Sequence, residues 1–218
     1  QRLSRGLGDV YKRQVKKRLL IFFAFIGIIS TGALSMVGQG YWKIAAVFYV
    51  VASVGFMSAN IFYDSLLPSV ASKQKRDFVS SLGYSLGYIG GGILFLVNVA
   101  MYLKPQFFGI ADAPSAIKLS FLTVAVWWAI FTLPILIFVK EKAPANDIGI
   151  IKSISAGWIQ LLSTLKRIRE LKVVTTFLIA YWLYIDGVDT IIRMSVDYGT
   201  SLGFTTSTLI TLLLMVQF

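Results

Sequence analysis

The sequence predicts an all-α, polytopic transmembrane helix bundle, and three observations carry that reading. Hydrophobic residues make up 56% of the 218-residue chain and charged residues only 14%, whereas about a quarter of a soluble domain is charged. The apolar residues gather in runs of about 20, enough for a helix to cross the ~30 Å hydrocarbon layer. The basic residues sit in short clusters between those runs. A formal charge of +11 on a soluble chain would suggest nucleic acid, but clusters so placed read as topology signals, and no nucleic-acid partner is expected. The chain has no cysteine and no histidine, which removes disulfides, Cys nucleophiles, Ser-His-Asp triads and the common zinc ligand sets. No catalytic residue, metal or cofactor is expected.

Residues 1–14 are polar, lack the apolar stretch of a signal peptide and are set aside as a doubtful, non-native tail. The chain opens without Met and stops at Phe218 inside an apolar run, so it reads as a fragment. Residues 15–142 are expected to hold four transmembrane helices, which the family resemblance described below makes the remainder of an N-terminal bundle. The first span, Leu19 to Val37, follows Lys16, Lys17 and Arg18, which places its start in the cytoplasm by the positive-inside tendency. Gly38, Gln39 and Gly40 predict a tight outer turn, with Tyr41 and Trp42 at the interface. The second span runs from Trp42 to Leu67, and Pro68 is expected to end it. A basic cytoplasmic loop, Lys73 to Asp77, leads into the third span, Phe78 to Tyr102. A polar outer loop with Asp112 and Pro114 leads to the fourth, Lys118 to Val139, in which Pro134 predicts a kink.

Residues 143–172 are expected to form a cytoplasmic central loop, with Ile154, Trp158, Leu161, Leu165 and Ile168 at the spacing of an amphipathic helix on the inner membrane surface. Residues 173–218 begin a second, truncated bundle: a fifth span from Val173 to Met194, an outer loop from Asp197, and a sixth span from Thr205.

The third span carries Gly83, Gly87 and Gly91 at four-residue intervals, with Gly90 and Gly92 beside them. Glycines weaken a helix in water, but in lipid the backbone has no solvent to turn to, and a face without side chains permits close helix approach. It reads either as a fixed packing seam or as a surface along which two helices slide.

Polar groups inside the spans are the candidate functional residues. Asp186, Asp189 and Arg193 fall at i, i+3 and i+7 of the fifth span, on one face, and a charge at membrane depth is tolerated only when paired or wetted. They read as an ion pair, Asp189 with Arg193, as substrate and proton-coupling residues, with Tyr184 beside them, or as groups simply exposed to solvent. Asn60, Tyr63 and Asp64 share one side of the second span near its inner end and read either as a structural group, with Asp64 placed to cap or pair with the Lys73–Arg76 loop, or as substrate and proton-coupling residues.

The stretches FYDSLLPSVASKQKRDFVSSLGYSLGYIGGG (Phe62 to Gly92), FLIAYWLYIDGVDTIIRMSVDYG and LITLLLMVQF resemble the vacuole-effluxer-like, autophagy-related branch of the major facilitator superfamily. The resemblance implies a major-facilitator-like bundle, here about helices three to eight of twelve, with residues 143–172 as the loop joining its halves. The glycine helix is similar to that superfamily's fifth-helix pattern gxxxGPxxGG, with Gly83, Gly87, Gly91 and Gly92 matching and Tyr88 where the pattern has proline.

The resemblance also implies a secondary transporter moving a small solute by alternating access, with amino acids suggested by eukaryotic members. The expected partners are the lipid bilayer, the solute and protons, in a multi-pass protein of the cell membrane (the bacterial inner membrane, or the vacuolar membrane in a eukaryote), monomeric when full-length. The alternatives are a membrane-embedded lipid-modifying enzyme and a non-transporting scaffold; the first would need a polar catalytic cluster that the sequence lacks.

Overall fold

The computed structural model describes residues 16–139, 158–159, 162–164, 168 and 171–217. Six α-helices account for most of them: α1 (Lys16–Leu34), α2 (Trp42–Val70), α3 (Arg76–Leu103), α4 (Ala113–Phe138), α5 (Lys172–Ser201) and α6 (Thr206–Gln217), with 3₁₀ turns at Lys73–Lys75 and Pro105–Phe108. The chain divides into two compact units, 1–145 and 146–218. Among the described residues four segments are long and apolar enough to cross a membrane: Lys16–Leu34, Trp42–Val70, Lys73–Leu103 and Ala113–Phe138. Apolar side chains are exposed all around these helices, the pattern of a protein solvated by lipid rather than water. The protein is an integral membrane helix bundle. The expected amphipathic helix over 143–172 falls mostly outside the described residues, as does the 1–14 tail.

Within the first unit, α1 is the central element: it packs most extensively on α2 and next on α4, while α3 lies against α4 and only touches α2. The α1–α2 seam is made of small residues. Ala24 and Gly27 of α1 and Ala52, Gly55 and Ala59 of α2 are buried, and these spacings bring each set to one face. A Cβ at Gly55 would stand 2.8 Å from the Gly27 nitrogen and 2.9 Å from the Phe23 carbonyl oxygen, so two backbones are in contact there. From the other side the Trp128 indole of α4 covers Gly27 and meets Phe56 edge-on at 5.8 Å.

Helix ends depart from the sequence expectation at several points, and α1 runs from Lys16 to Leu34 rather than over the expected Leu19 to Val37. Pro68 does not stop α2, which runs on to Val70 and ends at Ala71, in extended backbone at φ −119°. So near the terminus a proline costs only the bond to the Asp64 carbonyl. α4 begins at Ala113 rather than Lys118, because the Asp112 carboxylate accepts the Ser115 backbone N–H at 2.9 Å and Pro114 occupies the first turn, a helix start written in the sequence. The Ser115 hydroxyl and backbone N–H hold the Asp112 carboxyl below its ordinary value.

In the second unit α5 continues seven residues past Met194 to Ser201, so Asp197 lies in a helix and not in a loop. Its Thr200 and Ser201 hydroxyls donate to main-chain oxygens of the preceding turn. The chain reverses only at Gly203, φ +88°, which brings Leu209 of α6 onto Gly199. The predicted turn at Gly38–Gly40 is present, with Gly40 at φ +87°.

Candidate functional site

The C-terminal ends of α2 and α4 and the N-terminal part of α3 frame a polar cluster. Asp64, on the last turns of α2, accepts a hydrogen bond from the Tyr84 hydroxyl of α3, at 3.0 Å to one carboxylate oxygen and 3.2 Å to the other. The neighbouring Tyr63 hydroxyl lies against Gly83, 3.0 Å from where a Cβ would stand. Beneath them is a cavity of about 290 Å³ whose wall combines Tyr63, Asp64 and Ser80 with apolar Leu66, Ile135 and Phe138. It exists because α2 and α3, though consecutive, scarcely pack on each other.

Lysines of α1 reach across this end of the bundle. Lys16 donates to the Ser65 carbonyl of α2 at 3.0 Å, and Lys17 to the Leu136 and Val139 carbonyls at 2.8 and 2.7 Å, where α4 ends. Cations suit helix C-termini, whose last carbonyls have no partner in the helix.

The expected pairing of Asp64 with the Lys73–Arg76 loop does not occur, since its hydrogen-bond donor is Tyr84. Asp64 lies about six residues, or about 9 Å, inside the end of α2, while those basic side chains come from beyond it. Among the described residues no cationic group is within ion-pair distance of Asp64. Asn60, one turn earlier, is exposed and does not line the cavity.

The glycines of α3 have unlike surroundings. Gly92 is buried and Gly90 faces Trp127, 3.9 Å from where its Cβ would be, whereas Gly87 and Gly91 meet nothing within 4 Å among the described residues.

In the second unit Asp186 and Arg193 are exposed and Asp189 is half-buried on α5, with Tyr184 exposed one turn before Gly187. The Thr190 hydroxyl donates to the Asp186 main-chain oxygen at 2.8 Å, which leaves the carboxylate to other partners. α5 has 30 residues, ample for a membrane crossing, but Asp186, Asp189, Arg193 and Asp197 dilute its apolar character, and it is not among the four apolar spans.

Sequence reasoning passed over Tyr84, Lys16 and Lys17 as functional groups, and also Asn98, whose carbonyl accepts the Thr123 hydroxyl of α4 at 2.9 Å. A signal for Tyr84 existed. It lies about 12 Å from the start of α3 and Asp64 about 9 Å from the end of α2, so donor and acceptor share a depth on consecutive antiparallel helices.

Apolar, membrane-length helices with polar groups at their ends make this a polytopic membrane protein. Comparison with known proteins narrows the class. Residues 5–218 match the family described as "Vacuole effluxer Atg22 like", and the chain belongs to that family. It is 38% identical over 208 residues to the "Uncharacterized MFS-type transporter YxiO" of Bacillus subtilis (strain 168), covering 93% of this chain and 47% of that protein. It is 26% identical over 225 residues to "Autophagy-related protein 22" of Saccharomyces cerevisiae (strain YJM789), covering 85% of this chain and 42% of the yeast protein. The chain therefore spans about half the length of the curated relatives it matches. No solved structure matches it.

Proposed function

We propose that the protein is a secondary transporter that moves a small solute across the cell membrane by alternating access, coupled to an ion gradient. Membership of a family described as effluxers, and likeness to a protein named an MFS-type transporter, support this reading. The observation that carries it is the set Asp186, Asp189 and Arg193 on one face of a helix long enough to span. Ionisable groups at membrane depth persist where they face a partner or a solute path. In this reading α5 is the fifth span and first helix of a second bundle, the loops at Lys73–Asp77 and 143–172 face the cytoplasm, and those at Gln106–Ser115 and about 202–205 face outward. Amino acids are the first solute class to test, and protons the first coupling ion.

The test is uptake by the full-length protein in proteoliposomes under an imposed pH gradient. Asp186→Asn is expected to keep normal abundance and to lower uptake about tenfold or alter its pH dependence. Asp189 and Arg193 are expected to pair, so each single neutralisation strands a charge at a cost of about 3 kcal/mol or more, and Asp189→Asn combined with Arg193→Gln recovers part of that stability. Parental uptake by Asp186→Asn at every pH would remove the coupling role, and a double variant no more stable than the singles would remove the pair.

A further inference from the structure

We propose that the cavity between the C-terminal ends of α2 and α4 and the N-terminal part of α3 is a binding site for a small organic cation with an apolar body, an amine on a ring or short chain, held by Asp64. This goes beyond the transport reading and stands or falls apart from it, because binding is measured without transport.

Four observations converge. The cavity, at about 290 Å³, is near the lower end of the size range of small-molecule pockets, roughly 300–1,000 Å³. Its lining is apolar on the sides given by Leu66, Val79, Ile135 and Phe138, and the polar groups Tyr63, Asp64 and Ser80 come from one side, between α2 and α3. Such a wall suits a ligand with one polar end. Tyr84 fixes the Asp64 carboxylate by donating to it, yet a carboxylate has about four acceptor positions, and a neutral phenol leaves its charge uncompensated.

Among the described residues no cationic group is within ion-pair distance of Asp64, Arg76 at the start of α3 included, whose buried Nε has no hydrogen-bond partner. Lys16 and Lys17 enter this end of the bundle but donate to the Ser65, Leu136 and Val139 carbonyls, on the same helices that wall the cavity. Their ammonium groups hold helix ends, and the negative charge at the cavity is left for a ligand. An anion is disfavoured by Asp64, and a neutral apolar molecule, including a lipid chain, would leave the carboxylate desolvated without a counter-charge.

The experiment uses the full-length protein in detergent with a single cysteine placed by Ser80→Cys, the chain itself having no cysteine. Phenethylammonium is the probe and 2-phenylethanol its neutral counterpart of equal shape. The amine is expected to slow thiol labelling at this position by about tenfold at saturation and the alcohol to do so weakly, with labelling of Ser35→Cys, outside the cavity, unchanged by both. Asp64→Asn is expected to abolish protection by the amine. On native Ser80, equilibrium binding of radiolabelled amine gives a second measurement, with Kd raised about tenfold by Asp64→Asn, equivalent to about 1.4 kcal/mol, and by a smaller factor in Tyr84→Phe. Equal protection by alcohol and amine, or amine binding that survives Asp64→Asn, overturns the proposal. Amine binding that depends on Asp64 upholds it even where no transport is found.

Discussion

The α1–α2 seam, of alanine and glycine, and the α3 strip, of glycine, both line small residues along one helix face, yet the first brings two backbones into contact while the second is open at Gly87 and Gly91 among the described residues. At Gly55 the missing side chain is what admits the backbone of Gly27, whereas at Gly87 and Gly91 no described residue comes within 4 Å of where a Cβ would stand. Glycine spacing therefore reports that a face can accept a close neighbour, and it does not report which neighbour or whether one is there. The larger number of glycines lies on α3, but the tighter packing lies on α1 and α2, where alanine and glycine share the work.

The largest expected effect follows from the closed face. Gly55→Ala sets a Cβ 2.8–2.9 Å from backbone atoms of Phe23 and Gly27, which cannot rotate away, so α1 and α2 must separate. Overpacking of this kind costs about 1–3 kcal/mol, and the upper end is expected here, read as a fall in folded, monodisperse protein. Gly27→Ala should cost less. Its neighbour is the Trp128 ring, a side chain that can be trimmed, and Gly27→Ala combined with Trp128→Leu should recover part of the loss while Gly55→Ala with Trp128→Leu should not. Recovery in both double variants would show that the seam is held by Trp128 and not by backbone contact.

These contacts mark how far the sequence was legible. The four apolar spans were readable because lipid demands about 20 apolar residues per crossing, and helix ends slipped where a local signal was misjudged, at Pro68 and at the Asp112 cap. The candidate Asp64 was readable as a carboxylate inside a span. Its partner was not, because Tyr84 looked like one more aromatic and its role depends on α3 running antiparallel to α2 at matched depth. Lys16 and Lys17 were read as topology signals alone, since their carbonyl partners lie about 50 and 120 residues away in sequence. The trio on α5 was visible through spacing, but what its carboxylates meet depends on groups that spacing does not specify.

A smaller effect on stability, with a larger one on function, is expected from the open face. Gly87→Leu adds a side chain into free space, so folding of the α1–α4 unit should be within about 0.5 kcal/mol of the parent, while uptake by the full-length protein falls about tenfold or more if that face meets another helix during transport. Leu86→Ala, one position along, should be mild in both measurements. Normal uptake by Gly87→Leu at matched abundance would mean that no helix uses the strip.

The smallest effect is expected at Gly83, where the two kinds of face meet. A Cβ there would stand 3.0 Å from the Tyr63 hydroxyl, the far end of a flexible side chain. Alanine is also the better helix former by about 1 kcal/mol in water and less in lipid. The displacement of one hydroxyl and the gain in helix preference nearly cancel, so Gly83→Ala should change thermal stability little and in either direction, against the clear loss from Gly55→Ala. The two variants make the same chemical change inside apolar helices, and the difference is whether the atom in the way is backbone or a movable side chain. A loss at Gly83 as large as that at Gly55 would mean that Tyr63 is held in place, with Asp64 and Tyr84, as a rigid joint between α2 and α3.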